Sequence, residues 1–297
     1  MKEVAIIGPT ASGKSALAIE VALAADAYIL SLDSLSIYKE IDIVSAKPSK
    51  TELSLVKHFG IDEIYPNEHF SVERYIDLYK KTKKRAKKDK KDLIIVGGTL
   101  FYLKALLTGL SPMPKFDEET IQQVDTIMQD IPKSYEILAS IDSEFAQKIT
   151  SNDRYRIEKG LLIYYQTKMK PSIYFKKFPP KPVIQEIPIF SIQIDKDILR
   201  TKIEQRTNKM IEEGLIEEIY SLEKRYSRTP TPMKAVGVVE TLEYLDGKYD
   251  LQGLKDKIVT NTARLAKRQR TFIRTQFENV ISIDPEDRTR IEEVLKD

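Results

Sequence analysis

Eight residues near the N-terminus, Gly8-Pro9-Thr10-Ala11-Ser12-Gly13-Lys14-Ser15, read G-x-x-x-x-G-K-S. Glycines at that spacing let successive backbone N–H groups turn toward phosphate oxygens. The lysine supplies a full positive charge, and the serine hydroxyl can ligate Mg²⁺. The chemistry on offer is a grip on phosphate. The motif leaves open whether that phosphate belongs to a nucleotide or to another diphosphate.

Three further residues could act on what the loop holds. Asp33, in Asp33-Ser34-Leu35-Ser36, can accept a proton from an attacking group or hold Mg²⁺. It can equally cap the next helix through backbone N–H groups. Thr99, after Gly97-Gly98, can hydrogen-bond a diphosphate or leaving-group oxygen, or serve as a helix cap. Arg206 shares a helical row with Ile203 and Met210, so its guanidinium is expected among inward-facing apolar neighbours. An inward arginine needs an anion: a diphosphate would serve, and so would a structural ion pair or escape of the head group to the rim.

Two basic stretches follow a different logic. Helical spacing over Arg264–Arg274 puts Leu265, Gln269, Phe272, Ile273 and Gln276 on one side, and Arg264, Lys267, Arg268, Thr271 and Arg274 on the other. A basic face of that length suits a nucleic-acid backbone. The denser run from Lys80 to Lys88 carries Tyr75, Tyr79 and Ala86 at helical spacing, which is the pattern of a lysine-rich surface helix.

The elements that position these residues are legible as short apolar runs alternating with amphipathic ones, the pattern of a parallel sheet covered by helices. Strands are expected at Val4–Ile7, Tyr28–Leu32, Leu93–Val96, Phe190–Ile194 and Val280–Ile283, with a helix over Ser15–Ala25. The first three strands end in Gly8, Asp33-Ser34 and Gly97-Gly98-Thr99, so the chemistry-bearing turns should meet at the carboxyl edge of the sheet. Residues 1–111 and 183–297 are expected to form one discontinuous core. Residues 112–182, punctuated by prolines and lacking a clear strand, read as a helical insertion.

Composition sets outer bounds. The 297 residues are 41% apolar, and 48 basic against 45 acidic residues give a net charge of +3, so any nucleic-acid surface must come from local clustering. Zero cysteines exclude disulfides, thiolate zinc sites and a cysteine nucleophile. With no leader or membrane-length apolar run, the expectation is a cytoplasmic monomer without a membrane span.

In this order and spacing the motifs resemble the tRNA dimethylallyltransferases, also called tRNA isopentenyltransferases. The resemblance is carried by Gly8 to Ser15, Asp33-Ser34 with Ile41-Asp42-Ile43 and Ala46-Lys47-Pro48, Val96-Gly97-Gly98-Thr99-Leu100-Phe101-Tyr102, Arg206 with Met210 and Gly214-Leu215, Ala235-Val236-Gly237, and Ala266-Lys267-Arg268-Gln269-Arg270-Thr271. It implies a P-loop-type α/β fold and transfer of a dimethylallyl group from dimethylallyl diphosphate to N6 of the adenosine 3′-adjacent to the anticodon, with Mg²⁺ at Ser15. Gly8 to Ser15 would bind the diphosphate, with Asp33, Thr99 and Arg206 catalytic. The tRNA anticodon arm would meet Asp33, Ser34, Leu35, Ser36, Tyr155, Arg156, Lys159, Lys234, Gly237, Arg264, Lys267, Arg268 and Arg274. Ser36 stands where the family commonly has glutamine, and Val238-Val239 where it commonly has an aromatic and a basic residue. A P-loop kinase of a nucleotide or small metabolite is the alternative, because the loop, the serine and the carboxylate serve phosphoryl transfer equally well.

Overall fold

A computed structural model describes residues 1–296. Six strands form one all-parallel sheet: β1 (Glu3–Ile7), β2 (Ala27–Leu32), β3 (His58–Phe59), β4 (Asp92–Gly97), β5 (Ile189–Ile192) and β6 (Val280–Ile283), in the order β3-β2-β4-β1-β5-β6. Val4 to Ile7 and Leu93 to Ile95 are fully buried, which explains why these strands read as unbroken apolar runs rather than alternating ones: helices cover both faces. The architecture is the expected P-loop-type parallel sheet. β1, β2, β4 and β5 each begin one residue earlier than expected and β4 runs on to Gly97, and two larger differences stand beside these. β3 escapes the sequence because two residues carry no period, and β5 ends at Ile192 instead of Ile194.

The helix Lys14–Ala25 starts directly from the phosphate loop and packs Leu17, Ala18 and Val21 against Val4, Ile6, Ile94 and Phe190. A second core gathers Ile37, Tyr38 and Ile41 with Met210, Leu215, Ile219, Leu254 and Ile258. The helix Val72–Asp89 buries Tyr75, Tyr79, Thr82 and Ala86 and leaves Lys80, Lys81, Lys84, Lys87 and Lys88 exposed, as the spacing predicts.

The chain divides into two compact units, Met1–Leu107 with the stretch beginning at Ile184, and Thr108–Val183. The second holds the helices Glu118–Ile127, Ile131–Ile141, Ser143–Ala146, Arg154–Thr167 and Pro171–Lys177 around Val124, Met128, Leu138, Ile157 and Leu161, with no strand among the described residues. Among the described residues, no helix is long and apolar enough to cross a membrane.

Candidate active site

β1 and β4 are neighbours at the centre of the sheet, where chain order reverses, and their carboxyl ends open a cavity of about 880 Å³. Thr10 to Ser15, Asp33 to Ser36, Thr99, Arg206, Lys234, Gly237 and Arg268 line it; Gly8 and Pro9, the first two residues of the loop, are not among the lining residues. Local backbone geometry brings the turns this close. A Cβ on Gly97 would lie 2.2 Å from the Leu32 carbonyl oxygen, so only glycine lets β4 end against β2 there. Gly13, with φ +91°, takes the left-handed turn from which the helix begins.

Lys14 is only 9% exposed and donates to the Pro9 carbonyl at 2.6 Å. Burial, and then the neighbouring Arg206 guanidinium, lower its pKa to about 8, against an opposing pull from Asp33. Arg206, on the helix Lys196–Glu212, is likewise lowered by burial and sustained by Asp33. It pairs with no carboxylate within 4 Å among the described residues; its Nη1 donates to Thr10 Oγ1 at 3.2 Å. A buried lysine and a half-buried arginine thus share one half-buried carboxylate, and such a site favours a further anion.

Asp33 Oδ1 accepts the Leu35 and Ser36 N–H groups at 2.7 and 3.1 Å. The turn therefore uses one carboxylate oxygen, and Oδ2 has no hydrogen-bond partner among the described residues. Thr99 Oγ1 accepts the Ser34 N–H at 3.0 Å, tying the turn after β4 to the turn after β2, and its own proton has no acceptor among the described residues. Ser15 is exposed at the cavity, and its hydroxyl has no hydrogen-bond partner among the described residues. Further in, Tyr38, Phe70 and Tyr102 make an aromatic wall; Tyr102 stacks on the buried Tyr75 with ring centroids 4.6 Å apart. Burial, Tyr38 and Asp33 together push the Tyr102 hydroxyl up to about 12, so it stays a neutral donor.

The other proposed contacts are distributed. Lys234 is exposed beside the cavity, and Gly237, with φ +93°, would drive a Cβ to 2.6 Å from Val44. Val238 is fully buried. On the helix Leu251–Gln276, Arg264, Lys267, Arg268, Thr271 and Arg274 are exposed as the spacing predicts, and Arg268 also reaches the cavity. Gln276, expected on the inner side, is exposed, because the helix is near its end there. Tyr155, Arg156 and Lys159 belong to the helical unit and are not among the cavity residues. Lys159 Nζ sits 5.7 Å from the Tyr155 ring centroid, and Arg156 pairs with Asp153 at 3.3 Å.

Several residues that organise the site carry no motif signal of their own. Glu218 accepts three consecutive N–H groups, Asp42 (2.9 Å), Ile43 (2.7 Å) and Val44 (3.0 Å). Lys47 Nζ holds the Tyr38 carbonyl, Asp42 and Asp62. The buried Glu240 joins the Gly237 N–H to Asn261. Their only sequence cue is placement in or near the family segments.

The chain matches the family model described as IPP transferase over residues 36–276. A tRNA dimethylallyltransferase of Sulfurovum sp. (strain NBC37-1) is 56% identical over 282 residues, spanning 95% of this chain and 94% of the relative. Among solved structures, the full-length tRNA isopentenylpyrophosphate transferase of Bacillus halodurans is 27% identical, with a TM-score of 0.72 over 99% of this chain and 97% of its own. A eukaryotic dimethylallyltransferase acting on tRNA is 25% identical, with a TM-score of 0.84 over 97% of this chain and 75% of its own.

Proposed function

The chain belongs to the IPP transferase family, and on that premise we propose that it transfers a dimethylallyl group from dimethylallyl diphosphate to N6 of the adenosine 3′-adjacent to the anticodon of tRNA. The observation that carries this reading is one cavity holding a cationic phosphate cradle, an acceptor carboxylate and an aromatic wall. In the transfer the allylic carbon–oxygen bond breaks as the N6–carbon bond forms. The electron pair leaves with the diphosphate, and N6 gives one proton to Asp33. The loop N–H groups, Lys14, Arg206 and the Thr99 hydroxyl stabilise charge growing on the departing oxygens. Oδ1 anchors the Asp33 turn, leaving Oδ2 for the proton.

Among the described residues no cluster of three or more His, Asp or Glu side chains could cage a metal. Mg²⁺ nevertheless suits the site, because it is usually held by one or two protein groups plus phosphates and waters, and the Ser15 hydroxyl provides one such group. When bound it would supply charge neutralisation on the diphosphate. The adenine must leave the anticodon stack to enter the cavity. Arg264, Lys267, Arg268 and Arg274, with Lys234 and the Tyr155, Arg156 and Lys159 group, are the proposed anticodon-arm contacts.

Incubation with labelled dimethylallyl diphosphate and unmodified tRNA, followed by nucleoside mass spectrometry, tests the reading. Label on N6 of that adenosine is the expected result. ATP consumption with no prenylated product would instead support the kinase alternative, which neither the family match nor these relatives favour.

A further inference from the structure

Gln269 lies within the Ala-Lys-Arg-Gln-Arg segment between residues assigned to tRNA, yet the proposed function gives it no task. Its Oε1 accepts the Thr10 backbone N–H at 2.8 Å, and its Nε2 donates to the Gly98 carbonyl at 2.9 Å. The partners dictate the amide orientation, since a backbone N–H only donates and a carbonyl only accepts. A single neutral side chain therefore spans the phosphate loop and the turn after β4, the two backbone segments that carry the proposed diphosphate cage. Thr10 is held a second time by Arg206, and Gly98 immediately precedes Thr99.

A second observation makes Gln269 and Gly98 a fitted pair. A Cβ on Gly98 would lie 2.5 Å from Gln269 Nε2, so glycine is what admits the amide. The neutrality of Gln269 also suits its place. A carboxylate would accept from Thr10 but repel both the Gly98 carbonyl and a bound diphosphate. An ammonium would donate to Gly98 but leave the Thr10 N–H without an acceptor.

We infer that Gln269 is a positioning residue for the prenyl diphosphate: it fixes the gap between the phosphate loop and the Gly98-Thr99 turn, so that Lys14, Arg206 and Thr99 converge on one leaving group. It acts through Thr10 and Gly98 and touches no reacting atom. The inference rests on the proposed function, and the experiment separates the two.

Dimethylallyl diphosphate and tRNA affinities are measured separately, by calorimetric titration and filter binding, for the wild type, Gln269→Ala, Gly98→Ala and the double variant. Losing two backbone-anchoring hydrogen bonds should weaken diphosphate binding by roughly 10- to 100-fold in either single variant, while tRNA affinity stays within about twofold. Because both substitutions remove the same bridge, the double variant should bind diphosphate no worse than the weaker single one. Wild-type diphosphate affinity in Gln269→Ala, a parallel fall in tRNA affinity, or additive losses would each overturn the inference while leaving the function intact. Absence of dimethylallyl diphosphate binding by the wild type would overturn both. Should Gln269→Ala fail to fold, Gly98→Ala, which asks only a flexible amide to move, gives the same readout.

Discussion

Arg206 donates from Nη1 to Thr10 Oγ1 at 3.2 Å across 196 positions of sequence, bringing a guanidinium with no carboxylate partner among the described residues against the phosphate loop. Arg206→Ala and Lys14→Ala should each cost about 2 to 4 kcal/mol of transition-state stabilisation, the usual size of one charge-assisted contact to a developing anion. Single-turnover rates with saturating tRNA measure this. Near-wild-type rates in both variants would remove the diphosphate cage.

The lowered pKa of Lys14 makes diphosphate affinity pH-dependent. Below about pH 8 the ammonium is already present, so binding takes up no proton there. Above that pH the free protein loses the charge that the anion restores, and affinity should drop by as much as about tenfold per pH unit. Titrations between pH 7 and 9.5 show the bend. A flat profile would mean that Lys14 does not meet the ligand.

Asp33→Asn separates turn-building from proton transfer. The amide oxygen can still accept the Leu35 and Ser36 N–H groups, so thermal stability should hold. Turnover should nevertheless fall by about 100-fold or more, because the amide cannot take the N6 proton. Normal turnover in this variant, with lost stability in Asp33→Ala, would restrict the carboxylate to capping.

The exposed stripe on the Leu251–Gln276 helix is tested through salt. Arg264→Gln with Lys267→Gln should weaken binding to different tRNAs alike and reduce the slope of log affinity against log salt by about 1.4 to 1.8, as expected for two lost phosphate contacts. Affinity for dimethylallyl diphosphate is the internal control, since neither residue lines the cavity. An unchanged slope would make the stripe a solvated surface.

Glu218 carries a stability prediction. It accepts three adjacent N–H groups from the Asp42–Val44 segment, and Val44 lines the cavity. Glu218→Ala should destabilise the fold by about 2 kcal/mol, a value reduced for partial exposure, with Glu218→Gln intermediate because it keeps one acceptor. Denaturant unfolding of the two variants checks the order. Equal stability for wild type and Glu218→Ala would sink the claim.

The sequence by itself determined the sheet class, five of the six strands and the loop that names the chemistry, because apolar runs and glycine spacing are local properties of the chain. Helical spacing likewise separated the inner and outer faces of the Arg264–Arg274 segment. Three things were decided only by tertiary structure. β3 is a strand only through its pairing with β2, Ile29 beside His58 and Leu30 beside Phe59, a contact that two residues with no pattern cannot announce. Asp33 was legible as a cap or a base, but the use of Oδ1 alone by the turn depends on where Leu35 and Ser36 fold back. Gln269 read as one member of an inward row; its bonds to Thr10 and Gly98 span 259 and 171 positions. Periodicity reports which way a side chain faces. Only the packing of the helix against two strand ends decides which backbone atoms lie there to receive it.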